Sequence, residues 1–200
     1  MNIPVGEKFS IGSEIMSLQS MILVSLFAAL LAVSSQFSLL IFLVPHTLQI
    51  FFVLLAGLVL GAKDGAISVA LWVLLGVFGL PVFAQGKAGF GALLGPTGGF
   101  LIGFILCAYF VGYFTENRPL NLRRTLVAML VGLILVYVVG LCGFLVVFQF
   151  VLHKPMTVGQ ALPITVLPFL PFDIVKSIIA AYIGVKVRRA LLRAGLSIRK

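Results

Sequence analysis

Charge is scarce in this chain. Asp, Glu, Lys and Arg make up only 10% of its 200 residues, against about a quarter in ordinary soluble domains. Acid is scarcer still, with 5 Asp and Glu set against 14 Lys and Arg. Cysteine is limited to Cys107 and Cys142, which lie deep in apolar runs with no CxxC spacing and no neighbouring histidine. Two such residues exclude a disulfide framework and point to inert packing rather than redox or metal chemistry. No GxxxxGK[ST], HExxH or GxSxG motif occurs, so the usual P-loop, metalloprotease and serine-hydrolase routes are closed. One carboxylate, Asp173, sits inside a long apolar run, and both histidines, His46 and His153, stand at run ends. That inventory cannot supply the paired carboxylates or the Ser–His couple of an intramembrane protease. The expectation is a protein that is not an enzyme, with no cofactor and no metal.

What fills the chain is apolar. Hydrophobic residues reach 62%, and mean hydropathy is +1.25. A domain of this size cannot hide so much apolar surface behind a polar shell. The reading is an all-α integral membrane protein, a single domain over residues 1–200. The bundle spans about 20–187, and a basic cytoplasmic tail covers 188–200.

A span needs about 20 apolar residues. Six runs qualify or nearly so: Met21 to about Val44, Leu48 to Leu60, Gly65 to Leu80, Gly98 to Glu116, Thr125 to Leu152, and Leu167 to Val187. The first run contains Ala32-Val33-Ser34, which looks like a cleavage site. A signal peptide also wants a positive leading segment, and here Glu7 and Glu14 outweigh Lys8. The expectation is a retained helix.

Six spans place both termini on one side. Putting them in the cytoplasm leaves eleven bases inside (Lys8, Lys63, Arg118, Arg123, Arg124, Lys186, Arg188, Arg189, Arg193, Arg199 and Lys200) and only Lys87 and Lys154 outside. Lys176 stands within a span. This bias sets the orientation by the positive-inside rule and accounts for the net charge of +9 without nucleic acid. The connections Pro81–Thr97 and His153–Val166, and the His46–Gln49 turn, then face outward in a multi-pass protein of the cytoplasmic membrane.

Three constellations could bind something. In Pro168-Phe169-Leu170-Pro171-Phe172-Asp173-Ile174-Val175-Lys176, a helix starting near Pro171 puts Asp173 in its first turn and Lys176 on the same face. Ionisable groups within a span mark a functional site by default, and an internal ion pair is the plain alternative. An acceptor-only group beside a donor-only group suits a neutral ligand that carries both N–H and C=O. The second is Gly86-Lys87-Ala88-Gly89-Phe90-Gly91 followed by Gly95-Pro96-Thr97-Gly98-Gly99, which allows either close ligand approach or small-residue packing. The third is Ala28-xxx-Ala32, a small-residue pair on the first helix that serves internal packing or a partner subunit.

Taken together, several motifs resemble the BioY family, the biotin-capturing S components of energy-coupling-factor (ECF) transporters. They are Val44-Pro45-His46-Thr47-Leu48-Gln49, Leu54 to Gly61, Gly79-Leu80-Pro81-Val82-Phe83-Ala84, Gly95-Pro96-Thr97-Gly98-Gly99 with Phe100 to Phe104, and Pro171 to Lys176. The resemblance runs in order from about Ser20 to Val187. It implies the six-helix S-component fold and an outward-facing biotin site built on Asp173, Lys176, Thr97 and Gly95. Gln49, Gln85 and Lys87 join as polar candidates, and Phe83 or Phe90 as ring covers. It also implies that Ala28 and Ala32 meet a transmembrane coupling subunit, whose two ATPases hydrolyse the ATP. Biotin import follows, with another vitamin, or a solitary facilitator working without the ATPases, as the alternatives. Three positions depart from the usual pattern: Phe172 replaces a glycine, Phe100 a tyrosine, and His46 an apolar residue.

Overall fold

The computed structural model describes residues 17–41 and 44–194. Glu7, Lys8, Glu14, Arg199 and Lys200, which entered the charge argument, lie outside the described residues. Among the described residues the structure is a helical bundle. Its six long helices are α1 (Leu18–Gln36), α2 (Gln49–Leu60), α3 (Ala62–Val77), α5 (Gly98–Thr115), α6 (Leu122–Val146) and α8 (Leu170–Arg193), with the short α4 (Gly91–Leu94) and α7 (Val158–Thr165) between them. Strands β1 (Ser38–Ile41) and β2 (Val44–Thr47) form an antiparallel hairpin in which Ser38 pairs with Thr47.

The six runs read from the sequence fall on the six long helices, with one overshoot. The first run continues to about Val44 in hydropathy, but α1 stops at Gln36. The chain turns there because Gln36 Nε2 donates to the carbonyls of Pro81 and Phe83 (3.2 Å each) while Ser35 Oγ donates to Val82 O at 2.6 Å. A strand edge and a helix can be equally apolar, so hydropathy alone runs through the join. At the other end of the chain, α8 continues to Arg193, so the first part of the expected basic tail is helical.

Local signals explain most boundaries. Ser17 caps α1 by accepting from Ser20 N, and Asn121 caps α6 by accepting from Arg123 N. Thr157 and Gln160 form a capping box on α7. Pro171 sits in the first turn of α8, where its missing N–H leaves no bond unmade. The α7–α8 join bends by 52°.

Helix α2 is apolar all round and buried along nearly its whole length, so it forms the centre of the bundle. Its neighbours α3, α5 and α8 pack on it. By length and composition, α1, α5 and the α6 segment (Leu122–Val151) suffice to cross a membrane alone, and α7 with α8 passes as a bent pair. At 12 and 16 residues, α2 and α3 are short for spans. Helix α5 packs closely on α6, where a Cβ on Gly99 would come within 2.8 Å of Gly143 Cα. Gly99 therefore serves helix approach, the packing alternative left open by the spacing, while Gly98 lies against the Leu93 backbone of α4.

The turns gather at two ends. At one end Arg188 donates to Thr115 O at 3.0 Å and Glu116 O at 2.8 Å, while Glu116 Oε2 accepts from Ala62 N at 2.7 Å. Arg189 donates to Leu120 O there as well. This clasp ties the start of α3, the end of α5 and α8 together at the basic end. The hairpin, the 78–97 connection and the α7–α8 bend lie at the opposite end.

Candidate functional site

A cavity of about 490 Å³ opens at the hairpin end. Its apolar wall comes from Ile50, Phe83, Phe100, Leu101, Phe104, Val136 and Phe169. Its polar groups are few and convergent: His46 and Thr47 of β2, Gln49 at the start of α2, Lys87 and Thr97 from the 78–97 connection, Tyr137 of α6, Thr165 of α7, and Asp173 of α8. A mostly apolar hollow with a handful of placed polar groups is the usual form of a small-molecule site, and roughly 300–1,000 Å³ is the usual size.

Asp173 is the charged centre. The residue is 8% exposed and lies in the first turn of α8, where the helix dipole favours an anion. Lys176 Nζ donates to its Oδ1 at 2.9 Å, and Tyr137 Oη donates to its Oδ2 at 2.6 Å. Ser177 Oγ donates to the Asp173 carbonyl at 2.7 Å. Each carboxylate oxygen keeps a further lone pair, so the carboxylate is held in place and can still accept from a guest.

Lys176 does not line the cavity. Its ammonium lies behind Asp173, against Oδ1, the Thr47 carbonyl at 2.6 Å and His46 Nε2 at 3.1 Å. Two of its protons go to Oδ1 of Asp173 and the Thr47 carbonyl, so it fixes Asp173 and ties α8 to β2. This revises the expectation that both members of the pair reach a ligand. The reason is reach: an i, i+3 neighbour folds back onto its own carboxylate.

Of the other sequence candidates, Thr97, Gly95, Gln49, Lys87 and Phe83 line the cavity. Thr97 stands at the N-cap of α5 yet makes no side-chain cap bond, which leaves its hydroxyl for the cavity. Gln49 is buried, and its Oε1 accepts from Thr47 Oγ1 at 2.8 Å; its amide N–H pair has no protein acceptor among the described residues. Gln85 and Phe90 are not in the wall. Gln85 sits in a left-handed turn (φ 62°) with its side chain exposed, and Phe90 is 60% exposed outside the cavity. Phe172 also misses the cavity and lies edge-on to the His46 ring at 5.0 Å.

Several wall residues were not among the sequence candidates, Tyr137 and Phe169 among them. Tyr137 is one hydroxyl in an otherwise apolar run, with no spacing to mark it. Phe169 lies within the singled-out Pro168–Lys176 segment, but only the fold shows that it faces inward. Behind the wall, Trp72 is fully buried; its Nε1 donates to Val82 O at 2.9 Å and its ring stands at 87° to Phe83, 5.4 Å away.

The small-residue pair of α1 faces inward. Ala28 is 2% exposed and Ala32 is partly buried against the core, so this pair packs internally. The outward side of α1 carries Ile22, Ser25, Leu26, Ala29 and Val33. A 100° step per residue separates the two faces, and sequence spacing could not say which one turned outward.

Comparison with known proteins agrees with this architecture. The model of the BioY family matches residues 8–193. The biotin transporter BioY of Thermotoga maritima is 38% identical over 172 residues, which is 86% of this chain and 97% of that protein. The biotin transporter BioY of Rhizobium etli is 36% identical over 180 residues, 84% of this chain and 92% of that one. Among solved structures, the S-component for biotin from an ECF-type ABC transporter superposes with a TM-score of 0.75 at 26% identity, covering 88% of this chain and 95% of that one.

Proposed function

The chain belongs to the BioY family, and from that premise we propose that it captures biotin in the hairpin-end cavity and carries it across the membrane. The observation that supports this most is Asp173, buried, fixed by Tyr137 and Lys176, and presented to an otherwise apolar cavity. Biotin offers a ureido ring with two N–H donors and one carbonyl, an apolar bicyclic body, and a carboxylate tail. The carboxylate of Asp173 accepts ureido N–H, the Gln49 amide and Thr97 hydroxyl serve the ureido carbonyl or tail, and the phenylalanine wall takes the thioether ring. Lys87, exposed at the cavity, offers a cation to the tail carboxylate.

The orientation follows from the charges. The clasp end gathers Lys63, Arg118, Arg123, Arg124, Lys186, Arg188, Arg189 and Arg193, and the cavity end carries Lys87 and Lys154. The clasp end is cytoplasmic, the cavity opens outward, and the membrane is the cytoplasmic one. An ECF coupling subunit with two ATPases energises the step; the Ser25–Ala29 face of α1, outward and small, gives such a subunit a close-packing surface.

Calorimetric titration of the purified protein with biotin, thiamine, riboflavin and folate tests the reading. Saturable binding of biotin alone is expected. Binding of another vitamin in place of biotin overturns it.

A further inference from the structure

The His46 ring lines the cavity where the hairpin meets α8. It stacks on Phe169 at 5.5 Å and 21°, and meets the edge of Phe172 at 5.0 Å. Its Nε2 is 3.1 Å from Lys176 Nζ. An ammonium has three protons and no lone pair. Two of them go to Thr47 O and Asp173 Oδ1. The third can meet Nε2 only if that nitrogen carries a lone pair, which requires a neutral ring with its proton on Nδ1. The contact therefore depends on the charge of the imidazole. A neutral His46 completes the shell of Lys176, and Lys176 in turn sets Oδ1 of Asp173.

Protonating the ring turns Nε2 into a donor that faces an ammonium. Two cations then share a 3.1 Å contact with no electron pair between them. The two phenylalanines restrict any rotation of the ring, so Lys176 must yield, and it leaves either Asp173 or the hairpin carbonyl. The charged and titratable groups facing His46 are Lys176 and Asp173 of α8. Beyond them lie Tyr137 of α6, on the far oxygen of Asp173, and Lys87 across the cavity. Burial and Lys176 both hold the imidazole below its ordinary pKa, and Asp173 opposes them less strongly. The ring is thus neutral at neutral pH and charges only on acidification.

Building on the biotin reading, we propose that His46 is a positioning residue for Asp173, acting through Lys176, and that protonation of His46 weakens capture of the ligand at this cavity. Uptake would then be strongest at neutral to alkaline external pH and would fade in acid.

The test is biotin affinity of the full chain from about pH 8 down to about pH 5, a range that histidine titration dominates and in which a carboxylate tail stays largely ionised. In the wild type, Kd should hold steady at the upper end and rise by roughly tenfold or more toward the lower end. His46→Gln keeps an acceptor near the Nε2 position but cannot titrate, and its Kd should stay within about twofold across the range. By reciprocity, a tenfold effect means that saturating biotin lowers the His46 pKa by about one unit. Histidine NMR reads this directly, with the His46 signal identified by its loss in His46→Gln. A flat wild-type profile, or equal slopes in wild type and His46→Gln, overturns the proposal. Absence of biotin binding at about pH 8 strikes the functional reading instead. The His46–Lys176 coupling is then judged without ligand, since Lys176→Met must raise the His46 pKa, and an unchanged value overturns it.

Discussion

Tyr137 and Asp173 concentrate the chemistry of the cavity in one 2.6 Å hydrogen bond. Tyr137→Phe keeps the ring and removes the donor, leaving one carboxylate oxygen to find another partner. Hydrogen bonds to charged groups contribute about 1.5–3 kcal/mol; this one lies within the protein, so its loss should lower the unfolding temperature, and the loosened carboxylate should bind biotin more weakly. Calorimetry with the purified variant checks this, and an unchanged Kd removes Tyr137 from the site. Asp173→Asn should weaken binding comparably. Lys176→Met strands Asp173 without its cation and frees Thr47 O, so it should lower both affinity and unfolding temperature. If the pair is only an internal ion pair, the double variant of Asp173→Asn with Lys176→Met recovers binding; if Asp173 touches biotin, the double variant folds and does not bind. Much of this was legible in the sequence, because a carboxylate and an ammonium inside an apolar run are conspicuous. Tyr137 was not, because a single hydroxyl in a long apolar helix carries no periodic signal. Nor could spacing tell that Lys176 turns back to its own carboxylate.

At the scale of elements, the six long helices were legible because each carries an apolar run bounded by caps, prolines or charges. The exceptions have a shared cause. The join of α1 to β1 is apolar on both sides, and the outward face of α1 is apolar like its inward face, so hydropathy cannot resolve either one. The inward face gives one test. Ala28→Trp places an indole into a position only 2% exposed and should lower stability and binding together. Ala29→Trp faces outward and should leave biotin binding intact while abolishing uptake driven by a coupling subunit. Loss of binding in Ala29→Trp would show that this face also packs internally. The α5–α6 contact gives another test. Gly143→Ala puts a methyl within 2.6 Å of Gly99 Cα, and overpacking of this kind costs about 1–3 kcal/mol, read as a lower unfolding temperature. Gly159→Ala meets no atom within 4 Å and lies in α7, so it should be neutral or slightly stabilising.

Across the whole molecule, the two ends divide the work. The hairpin end holds the cavity, and the basic end is closed by the Arg188–Glu116 clasp. A reporter in the Arg118–Arg124 connection should read cytoplasmic and one near Lys154 external; the reverse pattern would place the cavity on the inner side. The position of Trp72 adds a practical consequence. It is the sole tryptophan in 200 residues, and its ring rests on Phe83, whose other side faces the cavity. Ultraviolet excitation of the intact protein therefore draws indole emission from one spot, a single ring away from the guest. Occupying the cavity should shift the intensity or wavelength of that emission in a saturable way, so that the unlabelled chain acts as its own optical gauge of loading, in detergent or in lipid.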